Sequence, residues 1–104
     1  MIQVPASYYN YNHQLPFSWQ DVLRLEGSRN YTIFVLFDGS QHISTKSLGN
    51  YEAFLPSGFL RVHKGHAVNL SAVVAVHKPS KTVELSDGFC CKVARRRWKN
   101  PMLM

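Results

Sequence analysis

FLRVHKGHAVNLSAVVAV, residues 59–76, is a series of short apolar stretches broken by one polar excursion. Phe59-Leu60-Arg61-Val62 has the aromatic and β-branched character of a strand, and Ala72 to His77 is a stronger candidate for another. Between them Arg61-Val62-His63-Lys64-Gly65-His66 is basic and polar and contains a glycine, which predicts an exposed loop before the chain returns inward at Val68 and Leu70. Little in this stretch follows a helical period, so its reading sets the fold class as mainly β.

The same pattern extends outward from Gln20 to Ala94. Downstream, a Pro79-Ser80-Lys81 turn precedes a strand over Thr82 to Ser86, and Asp87-Gly88-Phe89 predicts a three-residue hairpin loop with Gly88 at positive φ. That register sets Val83 against Val93, Leu85 against Cys91 and Glu84 against Lys92. A two-residue loop would instead oppose Val83 to Lys92 and Glu84 to Cys91, a poorer match of side chains. Cys91 then reads as a small core hydrophobe rather than a redox group. Upstream, Val22 to Glu26 is a strand closed by a Gly27-Ser28-Arg29-Asn30 loop. Tyr31 to Phe37, apolar on both faces, is a central strand buried on both sides. Asp38-Gly39 signals a tight turn, and Gln41 to Ser44 is the returning strand. One short helix is predicted near residues 46–55, capped by Thr45, with Leu48, Tyr51 and Leu55 on one stripe, Phe54 beside them and Pro56 at its end. Gly49 and Asn50 keep it short.

A chain of 104 residues, 45% hydrophobic and 17% charged, has the composition of one folded domain, which the pattern places at residues 16–104. Residues 1–15 form a Tyr- and Asn-rich lead-in that suits either a frayed edge strand or a disordered arm. No apolar run exceeds five residues, as at Ile33 to Phe37, which excludes a spanning helix. The N-terminus lacks the features of a secretory or transit segment, and the adjacent Cys90 and Cys91 cannot easily bridge each other, so a cytoplasmic protein is expected. The net charge of +6 is distributed unevenly. Residues 1–60 carry three cations against four carboxylates, and residues 61–104 carry nine against two, for net values of −1 and +7. A one-sided basic surface suits a polyanion, although a solvated basic face that only maintains solubility has the same composition.

Catalysis has little support. His63-x-x-His66 lacks the intervening Glu and the helical setting of a zinc protease motif, and there is no Gly-rich phosphate loop or paired-carboxylate motif. No enzyme activity, metal, cofactor, membrane or small-molecule substrate is expected. Nucleic-acid binding has two candidate segments, the Arg61 to His66 excursion and the run Arg95-Arg96-Arg97-Trp98-Lys99-Asn100, whose guanidiniums follow a strand and suit bidentate contact to guanine or phosphate. Trp98 within the run is expected to pack on the body and aim the arginines.

The 59–76 segment resembles the signature of the LytTR DNA-binding domain, in which an aromatic residue, Arg, a β-branched residue, His and a polar turn lead to Val-Asn and a strand. Upstream, residues 16–59 resemble the family's order of a strand ending in Glu, a loop ending near Tyr-Thr, a strand, an Asp-Gly turn and a short helix. TVELSDGFCCKVARRRWKN, residues 82–100, is similar to its closing hairpin and basic exit. The resemblance implies small packed antiparallel sheets whose edge loops enter DNA grooves. Carried over by position, it implies DNA contacts at Asn30 and Tyr31, at Lys64 with Gly65 and His66, and at Arg95 and Arg96, with Arg97 adding charge. His63 and Asn69 are expected to hold the loop in shape.

Sequence-specific binding of double-stranded DNA in bacterial transcriptional regulation follows from this resemblance, with a second copy on an adjacent site as the family implies. In it Arg96, with Arg95, reads guanine edges, Asn30 or Tyr31 reads an adjacent groove, and Lys64 grips the backbone. Gly65 and Ala94 stand where the family usually has Ser, which removes two hydroxyls expected at phosphate. Family members usually carry this domain behind a receiver or a membrane sensor, for which 104 residues leave no room. The chain is thus either a stand-alone regulator, to which its Met1 start leans, or an excised domain. A small β module binding RNA or any nucleic acid through charge, or a domain meeting an acidic protein partner, remains the alternative.

Overall fold

A computed structural model describes residues 15–98 and the backbone of residues 8 and 9. Among these residues nine strands make two sheets. The larger has six strands: β1 (Tyr8–Tyr9), β2 (Val22–Ser28), β3 (Tyr31–Leu36), β4 (Gln41–Ser44), β5 (Phe59–His63) and β6 (His66–Asn69). They lie in the order β1-β4-β3-β2-β6-β5, antiparallel except for the β1–β4 pair. The smaller is the antiparallel meander β7 (Val73–His77), β8 (Thr82–Leu85) and β9 (Cys90–Lys92). Two one-turn α-helices, α1 (Leu48–Glu52) and α2 (Arg95–Trp98), and two 3-10 turns at Trp19–Asp21 and Leu70–Ala72 complete the described fold. The mainly β class is therefore as the sequence implies. Residues 8 and 9 form an edge strand, and the rest of the lead-in to residue 14 lies outside the described residues.

The apolar residues segregate into two cores, one on each face of the larger sheet. Between the sheets lie Leu23, Val62, Val68, Ala72, Val83, Leu85, Cys91 and Val93, with Trp98 packed against them. On the other face Val22, Leu25, Phe34, Leu36 and Ala67 pack against Leu48 and Tyr51 of α1 and against Phe17 and Trp19. β3 is the central strand expected, flanked by β2 and β4, with Thr32, Phe34, Val35 and Leu36 buried, but its rims Tyr31 and Phe37 are exposed. A register shift between Val22 and Arg24 lets the successive residues Leu23 and Arg24 both reach toward the smaller sheet. Arg24 is consequently buried, ion-paired with Glu26 and with Asp87 (3.3 Å), and lies 4.0 Å from the centre of the Phe89 ring.

Four local expectations are corrected. β2 runs on to Ser28, which pairs with Tyr31, so the four-residue loop contracts to a two-residue turn at Arg29-Asn30 with Arg29 at φ 55°. The helix begins at Leu48, not near residue 46, because Ser47 and not Thr45 is the cap; it ends at Glu52, short of Pro56, and leaves Phe54 exposed. The Arg61 to His66 excursion is a continuation of β5 into β6 through a two-residue Lys64-Gly65 turn, with Val62 fully buried. In the last hairpin the loop is Ser86-Asp87-Gly88, closed by the Leu85 N–H on the Phe89 carbonyl at 2.9 Å, so Val83 pairs with Cys91 and Glu84 with Cys90. Val83, Leu85, Cys91 and Val93 are buried all the same, since this register preserves the face each residue occupies.

Candidate nucleic-acid interface

Strand direction determines which turns share an end of the sheet. β2 and β6 are antiparallel with Glu26 opposite His66, and the Gly27 N–H donates to the Gly65 carbonyl at 2.8 Å. The β2–β3 turn at Arg29-Asn30 and the β5–β6 turn at Lys64-Gly65 therefore emerge at the same end. The chain leaving β9 comes to this region as well, because the Ala94 N–H donates to the Val62 carbonyl at 2.7 Å. α2 follows at once, with the Arg97 and Trp98 N–H groups on the Ala94 carbonyl at 2.9 Å each, and Trp98 packs into the core between the sheets. The tryptophan is thus the anchor expected of it.

The Lys64-Gly65 turn is braced from several sides. His63 Nδ1 accepts the Gly65 N–H at 3.1 Å, which puts any proton of the neutral ring on Nε2. Arg61 donates from Nη2 to the Lys64 carbonyl at 2.6 Å and from Nε to the His63 carbonyl at 3.3 Å. Asn69, buried, donates to the Val22 carbonyl at 2.9 Å and accepts from Ser71. His63 holds the loop in shape as expected, whereas Asn69 acts at the opposite end of β6, where it pairs with Phe59 and ties the strand to the start of β2.

The candidate contacts fall into three groups. Asn30, Lys64, Arg95 and Arg96 are exposed, and Tyr31 is 44% exposed. Lys64 and Arg96 flank one shallow groove with Arg61, His63 and Arg97, and Arg95 lines a neighbouring cleft with His63, Lys81 and Lys92. Gly65 and His66 are half-buried; the His66 ring lies 5.3 Å from Phe89 and 6.1 Å from His63. Burial, then Arg24 and His63, lower its pKa from 6.5, so His66 contributes less charge near neutral pH than a surface histidine. Arg97, expected among the DNA contacts, is turned instead onto the body: its Nη1 donates to Glu52 Oε2 at 2.9 Å and to the Arg61 carbonyl at 3.2 Å. Lys99 and Asn100 lie outside the described residues.

Lys81 and Lys92 were not singled out by the sequence reading, although both are exposed and line the cleft beside Arg95. The available signal was their place at the base of a hairpin whose alternate residues point inward. Nucleophilic chemistry gains no support from the cysteines. Burial pushes the Cys91 thiol up to about 11, while Cys90 lies exposed. Among the described residues no group of three His, Cys, Asp or Glu side chains is placed to hold a metal, and no helix is long and apolar enough to cross a membrane.

A family model described as the LytTr DNA-binding domain matches residues 12–101. The chain belongs to this family. As a LytTR domain it is a DNA-binding domain of the kind found in transcriptional regulators. It is 33% identical over 86 residues to the heme-containing CO-sensing transcriptional regulator RcoM 1 of Paraburkholderia xenovorans, a match covering 82% of this chain and 31% of that protein. This LytTR chain thus spans less than a third of that relative. Its fold is similar to the solved LytTr DNA-binding domain of a protein described as a methyl-accepting/DNA response regulator from Bacillus cereus, with a TM-score of 0.71 and 19% identity over 86% of this chain and 84% of the other.

Proposed function

We propose that this LytTR domain, residues 16–104, recognises double-stranded DNA sequence-specifically in the bacterial cytoplasm and acts in transcriptional regulation by binding, without catalysis. The observation that supports it is the convergence of two hairpin turns and α2 at one region, with Lys64, Arg95 and Arg96 exposed while their neighbours Arg61 and Arg97 are fastened beneath them. Arg96, with Arg95, reads guanine edges. Asn30 or Tyr31 reaches an adjacent groove, and Lys64 grips a phosphate, with Gly65 and His66 shaping the turn that carries it. Lys81 and Lys92 add phosphate contacts beside Arg95. Arg97 serves to hold α2 rather than to read a base. Two copies on adjacent sites would double the number of base pairs read.

Selection of the chain against a random duplex pool near physiological salt tests this reading. An enriched motif is expected, with affinity falling as salt rises. Retention of the pool without enrichment would replace the reading with binding by charge alone.

A further inference from the structure

Glu52 is a carboxylate that the structure sets between two cations at this end of the domain. It ends α1, and its two oxygens go to different partners: Oε1 accepts from Arg61 Nη1 at 2.7 Å and Oε2 from Arg97 Nη1 at 2.9 Å. Each guanidinium belongs to a different DNA-facing element. Arg61 continues to the carbonyls of His63 and Lys64 and so supports the Lys64-Gly65 turn; Arg97 lies in α2, beside Arg95 and Arg96, and also donates to the Arg61 carbonyl. A single carboxylate therefore joins the turn and the helix through one continuous set of hydrogen bonds.

Energetics argue that this arrangement serves geometry more than stability. The Glu52 side chain is 38% exposed, and an ion pair so exposed contributes little to folding. A negative charge at this place also opposes the approach of a polyanion, so electrostatics alone would favour its absence. The two charge-assisted bonds it accepts, first from Arg97 and then from Arg61, hold its carboxyl below the usual carboxylate range, and it stays ionised at neutral pH. What the carboxylate supplies is orientation of two planar guanidiniums that together set the relative position of Lys64 and Arg96.

We infer that Glu52 is a positioning residue for DNA recognition, fixing α2 against the Lys64-Gly65 turn so that both engage DNA in one register. This rests on the DNA-reading surface proposed above. Positioning and bulk charge make opposite forecasts for Glu52→Gln in the full chain, assayed against the enriched duplex and a scrambled duplex of equal length and composition. Under positioning, binding to the enriched duplex weakens about tenfold while binding to the scrambled duplex is unchanged or tighter, and Glu52→Asp recovers most of the discrimination. Tightening on both duplexes by one factor, or an unchanged ratio, overturns the inference. Thermal unfolding checks that the variant is folded; if Glu52→Gln is not, Arg97→Gln decides, since it frees α2 from Glu52 and from the Arg61 carbonyl while leaving the Glu52–Arg61 pair in place. Its ratio of specific to non-specific affinity must fall, and an equal loss on both duplexes contradicts the inference. A wild-type chain that binds both duplexes alike defeats the DNA-reading proposal itself, and is thereby distinct from a discriminating wild type matched by an equally discriminating Glu52→Gln.

Discussion

The two hairpin turns that emerge together at the end of the larger sheet are built in opposite ways. Lys64-Gly65 is held by Arg61 at two carbonyls, by His63 at an amide and by Gly27 at a carbonyl. Arg29-Asn30 is a two-residue turn whose residues are exposed and whose first member takes a left-handed φ of 55°. A side chain delivered by the first turn arrives with its backbone already fixed, and loses less freedom when it meets DNA; one delivered by the second must be ordered on contact. The difference predicts that the braced side of the surface carries most of the discrimination and that the β2–β3 turn adjusts to it.

The largest expected effect comes from removing the brace. Arg61→Ala deletes the hydrogen bonds to the His63 and Lys64 carbonyls and one partner of Glu52, and should cost about 2 kcal/mol of stability with at least a tenfold loss of affinity for the enriched duplex. Chemical denaturation and a binding titration on the same sample read both quantities. Retained specificity with lowered stability would show that the turn does not need its support. Next in size, Arg96→Ala should cost about 1–3 kcal/mol of binding and relax preference at one base position, whereas Asn30→Ala should cost under about 1 kcal/mol and leave stability within about 0.5 kcal/mol. The reverse order in a saturation-binding series would invert the comparison.

A smaller effect concerns pH. Burial first, then Arg24 and His63, lower the pKa of His66 from 6.5, so the unfolded chain takes up this proton more readily than the folded one. Stability from this residue is complete above about pH 6.5 and is lost as pH falls from there through the folded value. Thermal midpoints followed from pH 7.5 to 5.5 should therefore decline, and His66→Gln should flatten the decline. The smallest effect is expected at Gly65. A Cβ there would meet His63 Nδ1 at 3.6 Å and the Gly27 carbonyl at 3.9 Å, which are ordinary contacts. Gly65→Ser should therefore fold normally and tighten binding to all duplexes a few-fold by restoring a hydroxyl at phosphate. A clash, seen as a lowered thermal midpoint, would mean that the turn is closed to side chains.

Much of this architecture was legible in the sequence because the relevant signals are local. β-branched and aromatic runs mark β3 and β7, and Gly39 and Gly88, at φ 89° and 87°, mark the tight turns. The register of the last hairpin was not legible. Moving it by one residue on each strand leaves Val83, Leu85, Cys91 and Val93 facing inward, so the apolar pattern does not distinguish the alternatives. The roles of the arginines were hidden for a different reason. Arg97 stands beside Arg95 and Arg96 in the same run, yet it is engaged by a glutamate 45 positions away, as Arg24 is by an aspartate 63 positions away and Arg61 by Glu52 across the end of α1. Net charge identified the basic half of the molecule, and only the tertiary structure separates cations that brace it from cations that face solvent.

Backbone amide shift mapping of the isotope-labelled chain with the enriched duplex tests the central claim most directly. The account predicts the largest perturbations at residues 29–31, 63–66 and 94–97, with smaller ones at Lys81 and Lys92 and little change at Val74 and Ala75 of β7, where Ala75 pairs with Glu84. Perturbations centred on β7, with the two turns and α2 unmoved, would contradict it.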